Sequence, residues 1–275
     1  MCNPVPQPRA GNRWKPTLAI QASIALHAGA AALWLARPHW WPWLLGAIVA
    51  DHLVLTAAGL WPRSKLLGPN WTALPEAVAA KGAVAITIDD GPDPVITPQV
   101  LDVLDQHCAK ATFFCIGELV EQHSLLAREI VSRGHSIENH TQRHLHSFSV
   151  LGPGGIRAEI ARAQETIEAV TGQRPQFFRA PAGLRSPFLE PVLARLGLRL
   201  ASWTRRGFDT VNPDAGVVFT KLTRGLRGGD ILLLHDGHAA RTASGAPVIL
   251  EVLPRLLQAV AAARLEPVTL RSALA

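Results

Sequence analysis

Residues 83–94 read AVAITIDDGPDP. The first six are small or β-branched and apolar apart from Thr87, a composition that suits a strand buried on both faces of a parallel sheet. Asp89 and Asp90 follow at once, and Gly91-Pro92 turns the chain. Two adjacent carboxylates at the end of a buried strand repel each other unless a cation neutralises one of them. The pair therefore suggests one metal ligand beside one free base; the plainer reading is an Asp-rich turn that only caps a helix. Working outward, strand-like runs alternate with amphipathic ones through the rest of the chain. Strands are expected at 83–88, 111–116, 135–139, 176–180, 199–204, 231–235 and 267–270. Helices are expected at 98–107, 119–133, 155–170, 187–196, 215–226 and 248–263. This βα alternation predicts an α/β barrel, whose active site forms where strands end and loops begin.

The other strand ends carry chemistry too. The third runs into Glu138-Asn139-His140-Thr141-Gln142-Arg143-His144. Histidines four apart fall on one side of a helical turn, a spacing that suits a divalent metal. With one carboxylate from the first strand they make a His-His-Asp set with open positions, the ligand count of catalytic zinc. His135 and His146 fall outside this pattern. Arg179 ends the fourth strand, where a permanently charged guanidinium can orient a carboxylate. The fifth leads to Asp209. The sixth, LLLH, ends in His235; its place at a strand end beside Asp236 favours acid–base work over a satisfied core histidine.

In order and wording these motifs resemble the polysaccharide deacetylase (NodB-homology) family of carbohydrate esterases. The motifs are Thr87-Ile88-Asp89-Asp90-Gly91-Pro92, His140-Thr141-x-x-His144, Arg179-x-Pro181, Asp209 and Leu233-x-His235, and the resemblance spans 82–275. It implies a distorted (β/α)7 barrel that hydrolyses an N-acetyl, sometimes N-formyl or O-acetyl, group on a sugar. It also implies one divalent metal ion, zinc first, with cobalt, nickel or iron as alternatives, held by Asp90, His140 and His144. Asp89 would be the base, Arg179 its orienting partner, and His235 the acid that protonates the leaving amine, tuned by Asp209. The backbone N–H of Ala182 would bind the oxyanion, and Leu233 would line the slot for the acyl methyl. The third motif often ends in an aromatic residue where this chain has Ala182, and the fourth lacks its usual tryptophan after Asp209. These departures point to a small or lipid-linked sugar rather than a long polymer stacked on aromatic walls.

The N-terminal part has another texture. Residues 17–36 contain no Asp, Glu, Lys or Arg, and residues 39–61 contain only Asp51. Each run is long enough to span a bilayer, and Arg37-Pro38 is a tight connection. The predicted architecture is thus a distorted barrel preceded by a two-helix transmembrane hairpin. Its divisions are a basic flank at 1–16, the hairpin at 17–61, a linker at 62–81 and the catalytic domain at 82–275. Trp14 and Trp61 flank the open ends, Trp34, Trp40, Trp41 and Trp43 cluster at the turn, and Trp71 lies just beyond; such belts mark membrane interfaces. Arg9, Arg13, Lys15, Arg63 and Lys65 flank the open ends while the turn has only Arg37, which places both ends on the cytoplasmic side of an inner membrane. The alternative is a signal peptide cleaved near Ala28-Gly29-Ala30, with the domain in the periplasm. His27, Asp51 and His52 should reach similar depth, as a lock between the helices or a grip on a lipid-linked substrate.

Composition agrees with this division. Of the net charge of +6, residues 1–81 carry +5. The basic excess thus belongs to the hairpin and its flanks, and no basic helix or nucleic-acid motif is present, which excludes DNA and RNA as partners. The expected partners are an N-acylated amino sugar and, through residues 17–61, the lipid bilayer. Cys2, Cys108 and Cys115 form no C-x-x-C motif, and Cys115 reads as core. A metallophosphatase and a membrane-tethered sugar-binding protein are the competing functions. The first would need a second metal set, and the second leaves Asp89 and His235 without a purpose.

Overall fold

The computed structural model describes residues 14–274, so Cys2, Arg9 and Arg13 lie outside the described residues. Eight strands form one parallel sheet: β1 (Ala83–Asp89), β2 (Thr112–Cys115), β3 (Ser136–Asn139), β4 (Phe177–Phe178), β5 (Arg199–Leu200), β6 (Arg205–Arg206), β7 (Ile231–His235) and β8 (Glu266–Val268). Their order is β5-β4-β3-β2-β1-β7-β6, with β8 on the lower half of β1. The expected distorted barrel is present as a curled sheet left open between β5 and β6.

The two faces of the sheet follow from side-chain alternation. Val84, Ile86 and Ile88 of β1 and Leu232 and Leu234 of β7 pack outward against the helices. Ala83 and Ala85, with Ile231 and Leu233, point into the barrel beside Phe114 and Trp203. Both faces are dry, which is why the strands read as continuous apolar runs. The same parity carries Asp89 and His235, register partners at the ends of β1 and β7, toward the barrel mouth.

The helices are α1 (Leu18–Ala36), α2 (Trp41–Leu60), α3 (Glu76–Ala79), α4 (Ile96–Gln106), α5 (Gly117–Gln122), α6 (Ser124–Ser132), α7 (Pro153–Thr171), α8 (Leu189–Leu196), α9 (Ala215–Thr223) and α10 (Val248–Ala262). The helix expected at 119–133 is two, broken at His123, whose ψ of 47° leaves the helical region.

Of the strand expected at 199–204 only Arg199 and Leu200 form a strand, β5, and β6 begins beyond it at Arg205. Between them, carbonyls are turned away from the ladder: Ala201 and Ser202 each accept from the guanidinium of Arg179, at 3.2 and 2.8 Å. Trp71 fills the seam, donating its N–H to Leu200 and accepting from Ser202 N–H, both at 2.9 Å. Thr72 accepts from Thr204 Oγ1 at 2.7 Å, and Leu74 N–H donates to Gly229. The segment read as a linker is therefore stitched into the barrel wall here. Trp71 is no part of a membrane belt: it is half-buried, edge-on to Phe177.

The two N-terminal helices are long and apolar enough to cross a membrane, and most of their surface is exposed. They form a hairpin closed by a 3₁₀ turn at Pro38–Trp40. Thr17 caps α1, accepting from Ile20 N–H while its own hydroxyl donates to Leu66. At the same open end, the buried Arg185 donates to the carbonyls of Ala58, Trp61 and Ser64, neutralising the last turn of α2. Its backbone N–H donates to Gly59 O, so close that a Cβ on Gly59 would lie 2.2 Å from the Arg185 carbonyl oxygen.

Candidate active site

The strand-end residues converge at one end of the barrel. Asp90 follows β1 with φ of 74°, which swings its carboxylate to the same side as that of Asp89. Gly91 makes this packing possible, since a Cβ there would lie 2.5 Å from both carboxylate oxygens of Asp236. Asp90 Oδ1 is 3.2 Å from His140 Nε2 and 3.2 Å from His144 Nε2. His140 Nδ1–H donates to the Arg179 carbonyl at 2.9 Å, so its Nε2 lone pair faces Asp90. Burial holds His144 neutral by pulling its pKa down to about 4, with neighbouring His140 adding to the effect. Burial alone would raise the Asp90 carboxyl, but hydrogen bonds to His140 and His238 outweigh it and leave the group well below the usual range. One anionic oxygen and two imidazole lone pairs meeting within a few ångströms match the donor set of a tetrahedral or octahedral divalent ion. The residues fit such a metal.

His140 and His144 are not on a helical turn, contrary to the sequence expectation. Thr141 and His144 have φ of 69° and 51°, and the turn is held by side chains: Thr141 Oγ1 accepts from His144 N–H, and Asn139 Oδ1 from Thr141 N–H, both at 2.9 Å. The left-handed residues rotate both rings toward Asp90. Of the eight non-glycine residues with positive φ among those described, six (Asp90, Thr141, His144, Ala182, Phe208 and His238) lie in loops beyond the strand ends. Such strain persists where surrounding contacts fix the backbone.

Asp89 is buried beside this triangle, with Oδ2 4.0 Å from His140 Nε2. Arg179 Nη1 donates to Asp89 Oδ1 at 2.6 Å and lies 2.8 Å from Thr87 Oγ1. The guanidinium is fully buried, 4.0 Å above the Phe114 ring. Burial draws its pKa down, and the adjacent Asp89 opposes that shift. All its hydrogen bonds run to fixed partners, so Asp89 is held in one orientation.

His235 lies across the mouth. Asp209, with no exposed surface, accepts from His235 N–H at 2.7 Å and from Nδ1–H at 2.9 Å. Burial disfavours the imidazolium, but Asp209 more than compensates and raises the pKa. Leu233, on the same side of β7 two residues earlier, is almost wholly buried. Ala182 is exposed, at φ of 53°, in a short 3₁₀ turn after β4. Gly183 beside it has φ of 74°, and a Cβ there would meet Trp203 at 2.6 Å and Pro62 at 2.9 Å.

Sequence reasoning missed His238. Its Nδ1 is 3.6 Å from Asp90 Oδ2, its ring stacks on His144, and it is largely exposed. The signal was the run His235-Asp-Gly-His238, where a turn brings the second histidine back to the mouth. Asp236 lies behind Asp90, accepting from Thr97 Oγ1, and burial raises its carboxyl to about 7. Phe208 is exposed next to Asp209, so one aromatic face does line this region, flanked by Arg206 and Lys221. Cys115 is buried in β2, where loss of solvation raises its thiol well above its ordinary range. His135 lies at the other end of β3, accepting from Ala111 N–H.

A second group of the same residue types sits in the hairpin. His27 Nε2 is 3.2 Å from His52 Nε2, His27 Nδ1–H donates to Ser23 O, and Ser23 Oγ donates to Asp51 Oδ2 at 2.7 Å.

The sequence profile of the polysaccharide deacetylase family matches residues 77–201. A peptidoglycan-N-acetylglucosamine deacetylase of Bacillus cereus is 35% identical over 175 residues, covering 63% of this chain and 81% of its own. A chitooligosaccharide deacetylase of a Bradyrhizobium species is 36% identical over 162 residues, covering 58% and 74%. Among solved structures, a peptidoglycan N-acetylglucosamine deacetylase bound to a naphthyl N-hydroxybenzamide superposes with a TM-score of 0.67 at 26% identity, over 74% of this chain and 91% of that one.

Proposed function

The chain belongs to the polysaccharide deacetylase family, and we propose that it is a membrane-anchored, metal-dependent hydrolase that removes an N-acetyl or N-formyl group from an amino sugar in a lipid-linked or polymeric glycan. The observation that carries this reading is the convergence of Asp90, His140 and His144 between the Asp89–Arg179 pair and the His235–Asp209 pair. Asp90, His140 and His144 would hold the ion, zinc first, with cobalt, nickel and iron as alternatives. When bound, a divalent ion supplies Lewis-acid activation of a water and of the acyl carbonyl. Asp89 takes the proton of the attacking water, and Arg179 keeps its second oxygen occupied so that one face stays directed at the mouth. The Ala182 N–H donates to the acyl carbonyl oxygen as negative charge develops on it. Leu233, almost wholly buried two residues before His235, lines the slot for the acyl methyl. His235 delivers a proton to the leaving nitrogen, and Asp209 stabilises its charged form. The base and acid are thus set apart by environment, one beside a cation and one beside an anion.

Residues 17–61 anchor the protein in the inner membrane and residues 82–275 carry the chemistry, with the domain on the cytoplasmic side. A topology reporter fused after Ala275 tests this; a signal only from the periplasm reverses the orientation and brings peptidoglycan within reach. For the reaction, detergent-purified protein is incubated with lipid-borne and polymeric N-acyl amino sugars while acetate and formate are measured. Release of either acid supports the reading. Phosphate release without an acid, or binding without turnover, defeats it.

A further inference from the structure

The end of the hairpin is attached to the face of the barrel at which the site opens. Arg185, which binds the last carbonyls of α2, is three residues beyond Ala182. Pro62 O accepts from Ser202 Oγ at 2.6 Å, and Arg63 donates to Thr204 O. Pro62 also packs against Gly183. Gly183, Arg185 and Ser202 lie in segments that follow β4 or β5, on the side where strands end, whereas Thr204 lies just before β6 and pairs with Ile231 at the start of β7.

The same face collects most of the exposed large apolar side chains of the barrel. Among the described residues after the hairpin there are eight, and five of them are Val95 after β1, Val150 after β3, Phe188 after β4, and Phe208 and Val211 after β6; the others are Leu66, Leu125 in α6 and Val217 in α9. All five come from loops that follow strand ends. Val150 and Val211 are 81% and 76% exposed, so neither is a core residue reaching outward. Where α2 joins this face, Trp61, Arg63 and Lys65 are exposed, the mixture of an aromatic and cations that suits the headgroup layer.

We infer that the mouth of the barrel lies against the bilayer surface, with this rim of apolar loops dipping into the interface, and that the substrate is an amphiphile whose amino-sugar head is offered from the membrane. The inference rests on the hairpin spanning the bilayer, as proposed above. An attachment at the mouth fixes the height of Asp90 and His235 above the membrane, and the apolar rim removes the energetic penalty of lowering that face onto lipid. A head group close to its lipid anchor can then reach the site, while a long polymer in solution meets a face already covered.

The test uses the full chain in vesicles of zwitterionic and anionic phospholipid. With Cys2 and Cys108 replaced by Ser, single cysteines at Val150→Cys and Val211→Cys carry an environment-sensitive fluorophore; Cys115 is buried and stays unlabelled. The control is a chain labelled at native Cys108, exposed in the loop before β2 at the opposite end of the barrel. Lipid-borne quenchers should quench the labels at 150 and 211 several-fold more than the one at 108. Equal quenching at all three in protein that floats with the vesicles overturns the inference and leaves the anchor standing. Protein that fails to float with the vesicles overturns both. As a second measurement, the Val150→Ser, Phe188→Ser, Val211→Ser triple variant should turn over diacetylchitobiose as the parent does, yet lose about tenfold or more on an alkyl N-acetylglucosamine embedded in vesicles. A parallel loss, or no loss, on both substrates overturns the inference.

Discussion

The hairpin and the barrel each gather two histidines and one aspartate within 4.8 Å, yet the two groups have different surroundings. In the barrel, Asp90 and His140 are buried, and a carbonyl fixes the His140 tautomer. Asp89 with Arg179 stands on one side and His235 with Asp209 on the other. In the hairpin, His27 and Asp51 are only half-buried and His52 is exposed. The group is tied to Ser23, and neither helix contains a lysine or arginine to set against Asp51. The donor atoms are alike. Only in the barrel do two buried ion pairs, Asp89–Arg179 and Asp209–His235, surround them, whereas the hairpin group has a hydrogen bond to Ser23.

Four changes would break or sharpen this contrast. The largest effect is expected from His140→Ala with His144→Ala: turnover falls to background and metal content, measured by elemental analysis of the purified protein, falls by one ion per chain. Unchanged metal content would move the ion away from the barrel. Next, Asp89→Asn should lower kcat by about 10²–10⁴ while the metal content stays at the parent level; an active variant would remove Asp89 from the base role. Asp209→Asn should act through pH. His235 must be protonated to donate, and Asp209 keeps it protonated to higher pH. Without that charge the alkaline limb of kcat/KM moves to lower pH, and a pH profile that does not move would show that Asp209 has no part in tuning the acid. The smallest effect belongs to the hairpin. Asp51→Asn keeps a hydrogen-bond acceptor for Ser23, so stability should change by less than about 1 kcal/mol, with kcat on a water-soluble substrate unaltered. A large loss of turnover there would erase the contrast.

Some of this was legible along the chain because it depends on local chemistry. The buried strand AVAITI announced itself by its apolar run, and Asp89 and Asp90 by charge where a strand should stop. The hairpin was legible because the requirement for about twenty uncharged residues is a property of the segment alone. Other features were not, for a physical reason in each case. Histidines four apart suggested a helical turn, but Thr141 and His144 adopt left-handed backbone, stabilised by contacts to Asn139 and to the neighbouring strands. Residues 199–204 looked like one strand because nothing local reveals that Ala201 and Ser202 give their carbonyls to the guanidinium of Arg179, 22 and 23 residues earlier. His238 was passed over because its approach to Asp90 depends on how the loop after β7 folds back. Trp71 was grouped with a membrane belt by proximity in sequence, although its partners are Phe177 in β4, Leu200 in β5 and Ser202 just beyond.

The sequence by itself determined the βα alternation, the apolar hairpin, and the identity and order of Asp89, Asp90, His140, His144, Arg179, Asp209 and His235, because strand burial, span length and side-chain chemistry are set residue by residue. The tertiary structure decided which of those groups touch, that the sheet stays open and is sealed by Trp71, and that Arg185 fastens the hairpin to the mouth of the barrel. Those outcomes depend on pairings between segments up to about 150 residues apart, as when Thr87 donates to Leu232. Their geometry is settled only when the whole sheet curls around its core.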